Sequence, residues 1–547
     1  MQRLVTLALA GVLAGTVACS SDTGISPDSS STTEEALGYR GENRTPGSLS
    51  LEKIGEYVGG GSGAAEITAY DAGTKRLFVV NGALGTVDVL DLSNPAAPVR
   101  VATISGAQFG AGINSVDAND GVVAVAIEAT VRQNPGTVAF YDAKTLELLS
   151  SATVGALPDM VVFTRQGRQL LVANEGEPNA EYTNDPEGSV SIIDVRKGRN
   201  PQVRTARFTR FNGRESQLRA RGIRIFGPNA TAAQDFEPEY IAIDDADDVA
   251  YVTLQENNAV AVIDIKSATV RRLVPLGYKD HRLARNAFDA SDRDGAANGP
   301  LINIRPYPVF GMYQPDAIAS YRYRGQTYFV TANEGDAREY TGAPGFLEEV
   351  TVGATSVVLN PTVFTDAACG GVPCKSNMAL GRLLITNQLG RDPVTGIYDA
   401  LYVFGGRSFS IYSEFGRQVY DSGDEFERRT TALPNVAFNA NNTGNALDNR
   451  SDNKGPEPEG VVLGRFGAKT FAFIGLERVG GVMVYDITNP TSPSFTTYIN
   501  TRNGGTGDLG PEGLAFIEAK DSPNGKPLLV VGNELSGTTA VLQINLQ

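Results

Sequence analysis

The chain has 547 residues, enough to bury one large core or several ordinary ones. Hydrophobic residues make up 41% of it, the level of a folded protein, while 61 glycines and 28 prolines supply many turns. A formal charge of −15 with a pI near 4.8 argues against a nucleic-acid partner, because phosphate backbones are held by concentrated Lys and Arg, and favours cationic partners, metal ions included.

Residues 1–19, MQRLVTLALAGVLAGTVAC, place one arginine before a short apolar run that ends in small residues. This is the pattern of an export signal, too short for a stable membrane span. Thr16-Val17-Ala18-Cys19 resembles the lipobox of bacterial lipoproteins, with threonine where that motif usually has leucine. The resemblance implies acylation of Cys19, and Ser20 implies sorting to the outer membrane or cell surface of a Gram-negative bacterium. A plain signal peptide cleaved nearby is the alternative. Residues 20–48 are rich in Ser, Thr and Gly and read as a flexible tether spanning ~30 Å on average. The membrane is then a partner only through the N-terminal lipid.

Residues 49–547 read as an all-β domain. AEITAYD, RLFVVNG, TVDVLDLS and VRVATIS are alternating or apolar over four to seven residues with turn chemistry between them, as in successive antiparallel strands. Units of four such strands begin near Glu66, Asp117, Asp159, Glu239, Asp316, Glu459 and Glu512. The third strand of a unit often ends in a hydrophobic-Asp pair, at Asp91, Asp142, Asp194, Asp264 and Asp486. Repetition of this kind predicts a β-propeller of seven four-stranded blades, with an extended solenoid as the rival. The last unit shows three evident strands, so the segment 51–59, LEKIGEYVG, is expected to supply the fourth and close the ring. Loop insertions are expected at 208–235, 268–310, 337–400 and 428–455. The strand-like stretch 400–423 either completes the fifth blade or forms an eighth. Cys369 and Cys374 are expected to form a local disulfide in an oxidising compartment; a redox-active pair is the alternative.

The repeated units carry a doublet of acids: Asp159 with Glu175, Glu239 with Glu256, Asp316 with Glu334, Glu459 with Glu477, and Glu512 with Glu534. One acid starts the first strand and the other ends the second, which runs back beside it, so both are expected at one end of the central channel. Glu66, Asp117 and Glu128 extend the series to the first two blades. Such a rim is self-repelling, and three outcomes are open. The acids bind Ca²⁺ or another divalent cation, pair with Arg338, Lys454 and Arg478, or accept backbone N–H bonds. Glu177, Asn179, Glu181 and Asp185 in the loop 174–188 are placed to extend a metal site. Arg450, Asp452 and Lys454 stand just before the doublet of the sixth unit, Glu459 with Glu477. The segment 288–298, FDASDRDGAAN, looks like a calcium loop but has Ala290 at the first ligand position, and a solvated turn is the other reading.

The one histidine, His281, rules out a multi-histidine metal centre, and no nucleophile elbow accompanies it. The chain has no Trp and no phosphate-binding Gly-Lys loop. GALPDMVVFT, VANEGEPNAEYTNDPEGSVSIIDV, FGMYQPDAIASY, TANEGDAREY, GGRSFSIYSEFG, RSDNKGPEPEGV and GPEGLAFI together resemble the choice-of-anchor I domain family. That family is similar to the mesenchyme-specific cell-surface glycoproteins of animals that deposit mineral. The resemblance implies a secreted or surface-attached β-propeller with a link to calcium, and carries no catalytic residue set. The expected function is a surface-tethered, monomeric binding propeller whose acidic rim takes up Ca²⁺ and meets an extracellular ligand or mineral. A metal-dependent phosphoesterase, alkaline phosphatase- or phytase-like, is the alternative. The metal-ligand candidates of the binding propeller are Asp159, Glu175, Glu239, Asp316, Glu334, Glu459, Glu477, Glu512 and Glu534; in the phosphoesterase, Glu239, Asp316, Glu459 and Glu512 hold the metal while Arg338, Lys454 and Arg478 hold a phosphorylated small molecule.

Overall fold

Strands in this protein are apolar on both faces: Val122–Ile127, VVAVAI, is buried at every position. A strand of that kind needs a neighbouring layer on each side, and the topology provides it. The computed structural model describes residues 45–547; the expected signal, Cys19 and most of the tether lie outside them. Among the described residues there are seven four-stranded antiparallel sheets. Their first strands are Thr68–Asp71, Ile113–Asn119, Pro158–Phe163, Pro238–Ile243, Ile318–Tyr323, Pro458–Phe466 and Pro511–Ile517. Each first strand packs on that of the next sheet, and the seventh packs on the first. The sheets therefore close radially around one axis, which is the β-propeller arrangement.

Closure uses both ends of the described chain. Leu49–Val58 pairs antiparallel with Thr538–Leu546 and becomes the outermost strand of the last sheet. Seven apolar layers fill the spaces between adjacent sheets; the one joining last to first holds Leu77, Val79, Leu90, Leu528, Val530 and Val541. Third strands end in aspartate because the side chain accepts the N–H groups of the turn that follows. Asp142 takes Lys144 N at 2.9 Å and Thr145 N at 2.8 Å, and Asp264 takes Ser267 N at 2.7 Å.

Of the two readings of 400–423, completion of the fifth blade holds: the order of that sheet is Ile318–Tyr323, Gln326–Asn333, Ser408–Ser413, Gln418–Asp421, while Tyr402–Val403 pairs with Phe310–Met312 outside it. Two other expectations shift. The expected insertion 268–310 includes Thr269–Pro275, the outer strand of the fourth sheet, so the excursion starts after Pro275. The second repeat starts at Ile113, four residues before Asp117.

The excursions after Pro275 and within 337–400 fold together. Phe288, Tyr307, Val352, Phe364, Leu383 and Tyr398 share a satellite core, and a disulfide joins Cys369 to Cys374 within it. The calcium-like segment is held as a turn: Asp292 pairs with Arg382 at 2.6 Å, and Asp294 accepts Asn303 Nδ2 at 2.7 Å. His281 is buried with Nδ1 2.6 Å from Asn286 O, and burial pushes its pKa down to about 3.

Candidate functional site

Local chemistry aims the acids at the channel. In Pro-Asp/Glu the acid falls at a break in the ladder. Pro158 faces Asn174 and Met160 faces Ala173, which leaves Asp159 unpaired. Glu239, Glu459 and Glu512 lie in the corresponding breaks of the fourth, sixth and seventh sheets. A bulge of this kind re-aims a side chain out of the pleat. In Pro-Glu-Gly the glycine admits the next blade's backbone: a Cβ on Gly460 would stand 2.2 Å from Glu512 O, and one on Gly513 2.5 Å from Glu66 O.

The second acid is set by its neighbour. Asn174 Nδ2 donates to Ser191 Oγ at 3.0 Å, and Asn333 Nδ2 donates to Ser410 Oγ at 2.9 Å. These buried amides lock second strand to third, and Glu175 or Glu334 follows directly at the strand's end. The first and second blades each depart from the pattern. In the second, the bulge position is Asn114, whose Nδ2 donates to Pro158 O at 3.1 Å. In the first, Gly82 replaces the second acid, and a Cβ there would meet Glu66 Oε1 at 2.4 Å.

Six carboxylates thus form the inner ring: Glu66, Asp159, Glu239, Asp316, Glu459 and Glu512. Among the described residues no hydrogen bond or ion pair reaches any of their carboxylates, in contrast to nearly every buried acid of the chain. Glu239, 7% exposed, and Glu459 and Glu512 each have an Oε2 that is buried and unpartnered. Burial, and then the charges of Glu534 and Asp159, push Glu66 up to about 7. Asp159 rises to about 7 by burial and then the charge of Glu177. Glu239, Asp316, Glu459 and Glu512 rise further for the same two reasons. Charge on charge in a poorly solvated ring favours protons or cations.

Asp117 stands apart. Its carboxylate accepts Phe163 N at 2.7 Å and Ala118 N at 2.8 Å, further along a cavity of ≈ 490 Å³ lined by the first strands and Tyr240. It stitches the second blade to the third.

The outer acids divide into two groups. Glu175, Glu256 and Glu534 have no protein donor to their carboxylates, and Glu256 Oε2 is buried. Glu334, Glu477 and Glu128 are compensated. Lys454 Nζ meets Glu334 at 2.8 Å and Glu457 at 3.2 Å, Arg478 meets Glu457 at 3.1 Å and Glu477 at 3.0 Å, and Arg132 meets Glu128 at 3.1 Å. Glu334, Glu457 and Glu477 also bring three carboxylate oxygens within 4.8 Å of one another. Lys454, Arg450 and Arg478 hold that trio together and pull Glu457 down to about 2 against its burial. The trio is an ion-pair network built of protein charges.

The cations expected to hold phosphate are therefore engaged elsewhere. Arg338 pairs with neither member of a doublet, and its guanidinium is 1% exposed. It donates to Asp235 Oδ1 at 2.7 Å and to Glu237 Oε2 at 2.8 Å. Of the loop 174–188, Glu177 faces the site and pairs with Arg132 at 3.0 Å, whereas Glu181 turns back to accept Asn179 Nδ2 at 2.9 Å. Asp452, before the doublet of the sixth unit, pairs with Arg382 at 2.8 Å. Sequence reasoning missed Asp235, Glu237 and Glu457, which lie one turn outside the doublets. The signal for Glu237 and Glu457 was their place two residues before Glu239 and Glu459.

Comparison with known proteins follows the geometry. Gigasin-3a of Magallana gigas is 31% identical over 184 residues, covering 30% of this chain and 64% of that protein. The mesenchyme-specific cell surface glycoprotein of Strongylocentrotus purpuratus is 25% identical over 353 residues, 58% of this chain and 44% of that one. The chain thus spans less than two thirds of either relative. Among solved structures, hydrazine synthase of Kuenenia stuttgartiensis superposes with a TM-score of 0.46 at 11% identity, over 90% of this chain and 98% of that one. Residues 66–490 match the choice-of-anchor I domain, and the chain belongs to that family.

Proposed function

We propose that this protein is a surface-held binding propeller whose channel-mouth carboxylates take up divalent cations, Ca²⁺ foremost, and through them an extracellular ligand. One observation carries the reading: six inner-ring carboxylates face one another with no hydrogen-bond donor, lysine or arginine of the described residues among them. All the donors are oxygens, the chemistry of a hard cation. Among the described residues, the compensated trio is the one acidic group tight enough to surround a single ion, so water would complete the shell of ions in the ring. Surface placement rests on the likeness to a cell-surface glycoprotein and on the lipobox-like Cys19. No helix of the described residues is long and apolar enough to cross a membrane.

Calorimetry of the purified protein with CaCl₂ at pH 7.5 tests this. The expected result is uptake with Kd of about 10⁻⁴–10⁻³ M, the range of extracellular calcium modules. Replacing Glu239 and Glu512 together by Gln is expected to weaken it at least about tenfold, since two ligand charges are lost. Absence of heat in the unaltered protein would sink the reading. The phosphoesterase alternative has less support, because Arg338, Lys454 and Arg478 already hold carboxylates. Turnover of p-nitrophenyl phosphate that needs a divalent ion and disappears in Glu459→Gln would put it first.

A further inference from the structure

On a chain of net charge −15, residues 196–224 carry ten Lys and Arg against one acid, Glu215. The run covers the outer strand of the third sheet, Arg199–Arg207, and the segment after it. Elsewhere the arginines are mostly ion-paired. Here Arg196, Lys197, Arg199, Arg207, Arg214 and Arg221 are exposed, and none has a carboxylate of the described residues within 4.0 Å.

Part of this run borders a groove. Arg196 and Arg199 flank a two-residue turn, Lys197-Gly198, with φ of 50° and 69°. Such a turn favours Asn-Gly, so the lysine keeps a charge there at the expense of turn preference. With Arg168 from the neighbouring turn, Arg196 and Arg199 line a cavity of ≈ 1060 Å³, which also presents Gln166, Asn200 and Gln202. Its acids are spent. Asp194 accepts Gln169 Nε2 at 2.6 Å and Arg204 Nε at 3.2 Å, while Asp247 accepts the backbone N–H groups of Arg165 and Gln166. The groove sits where the first strand turns into the second, at the end of the ring opposite Asp159 and Glu175.

We infer that this groove binds an acidic oligosaccharide, with Arg168, Arg196 and Arg199 meeting uronate carboxylates and the amides meeting sugar hydroxyls. Planar guanidinium forks match planar carboxylates. Side-chain amides both donate and accept, as hydroxyls require. The lining holds no aromatic ring for base stacking and no large apolar surface for acyl chains. The site is independent of the acid ring, so either can fail alone.

The test is calorimetry in EDTA with hexagalacturonate, maltohexaose and an inorganic polyphosphate of similar charge. Hexagalacturonate is expected to bind and maltohexaose not to. The Arg196→Ser, Arg199→Ser double variant is expected to weaken binding at least about tenfold, as loss of two charge-assisted hydrogen-bond donors should. Arg214→Ser with Arg221→Ser, exposed cations away from the groove, is expected to change it less than about twofold. All four positions are on the surface, and an unchanged thermal midpoint confirms that each double variant folds. Equal weakening by both variants would overturn the groove in favour of diffuse charge. Polyphosphate binding as tightly as the uronate would overturn the sugar assignment, and no binding of hexagalacturonate would overturn both.

Discussion

Arg338→Ala is expected to destabilise the fold by about 3–5 kcal/mol, seen as a fall in the urea midpoint, because it strands two buried carboxylates. The side chains of Arg338, Asp235 and Glu237 are all at most 1% exposed. Arg338 comes from the excursion of the fifth blade, whereas Asp235 and Glu237 lead into the first strand of the fourth. Its guanidinium also takes Asp235 O at 2.7 Å, and its backbone N–H donates to Glu348 Oε2 at 3.2 Å. Phe226 lies under it, 4.7 Å from Cζ, with Arg224 stacked 4.1 Å from the same ring. Lysine cannot reproduce the fork, so Arg338→Lys should recover only part of the loss. Adding Asp235→Asn and Glu237→Gln to Arg338→Ala should recover more, because the stranded charges are then gone. An Arg338→Ala protein as stable as the parent would contradict this account. If that variant lost only phosphate turnover, Arg338 would be a phosphate ligand after all.

The repeat was legible because its chemistry is local. Proline, the acid and glycine within three residues make the bulge, and Asn before the second acid ties two strands that are already neighbours. Pattern reading therefore placed the doublets without knowing the fold in detail. It failed where one residue type stands in for another. Asn114 occupies the ring position of the second blade, and a search for carboxylates passed it over for Asp117. Long-range pairing was equally out of reach: Arg338 and Asp235 are 103 residues apart, and nothing near either names the other. Arg338 and Lys454 beside a doublet look the same in sequence whether they face a ligand or a buried acid. The basic run 196–224 was visible as composition, but the net charge of the whole chain concealed it.

Without divalent ions, the protein is expected to be more stable at pH 5.5 than at pH 8.0. The folded state holds Glu66 and Asp159 at about 7 and Glu477 at about 8, and pushes the other ring acids up in the same direction, all through burial first. Unfolded carboxylates titrate near 4. Between those values the folded chain binds more protons than the unfolded one, so stability falls as pH rises through the window. Lowered carboxylates such as Asp264 and Glu457, both about 2, act below pH 4 and leave this slope untouched, and the one lowered histidine, His281 at about 3, opposes it only up to about pH 6.5. In EDTA the thermal midpoint should drop by several degrees from pH 5.5 to 8.0. Ca²⁺ at about a hundred times its Kd should return about 2.7 kcal/mol at pH 8.0 and much less at pH 5.5, where protons compete for the same oxygens. Glutamine copies the protonated acid, so the Glu239→Gln, Glu512→Gln variant should show a flatter pH profile and a smaller calcium response together. A midpoint that rises from pH 5.5 to 8.0 in EDTA would mean that the ring is stabilised as anions by the fold itself. The cation would then have no vacancy of charge to fill.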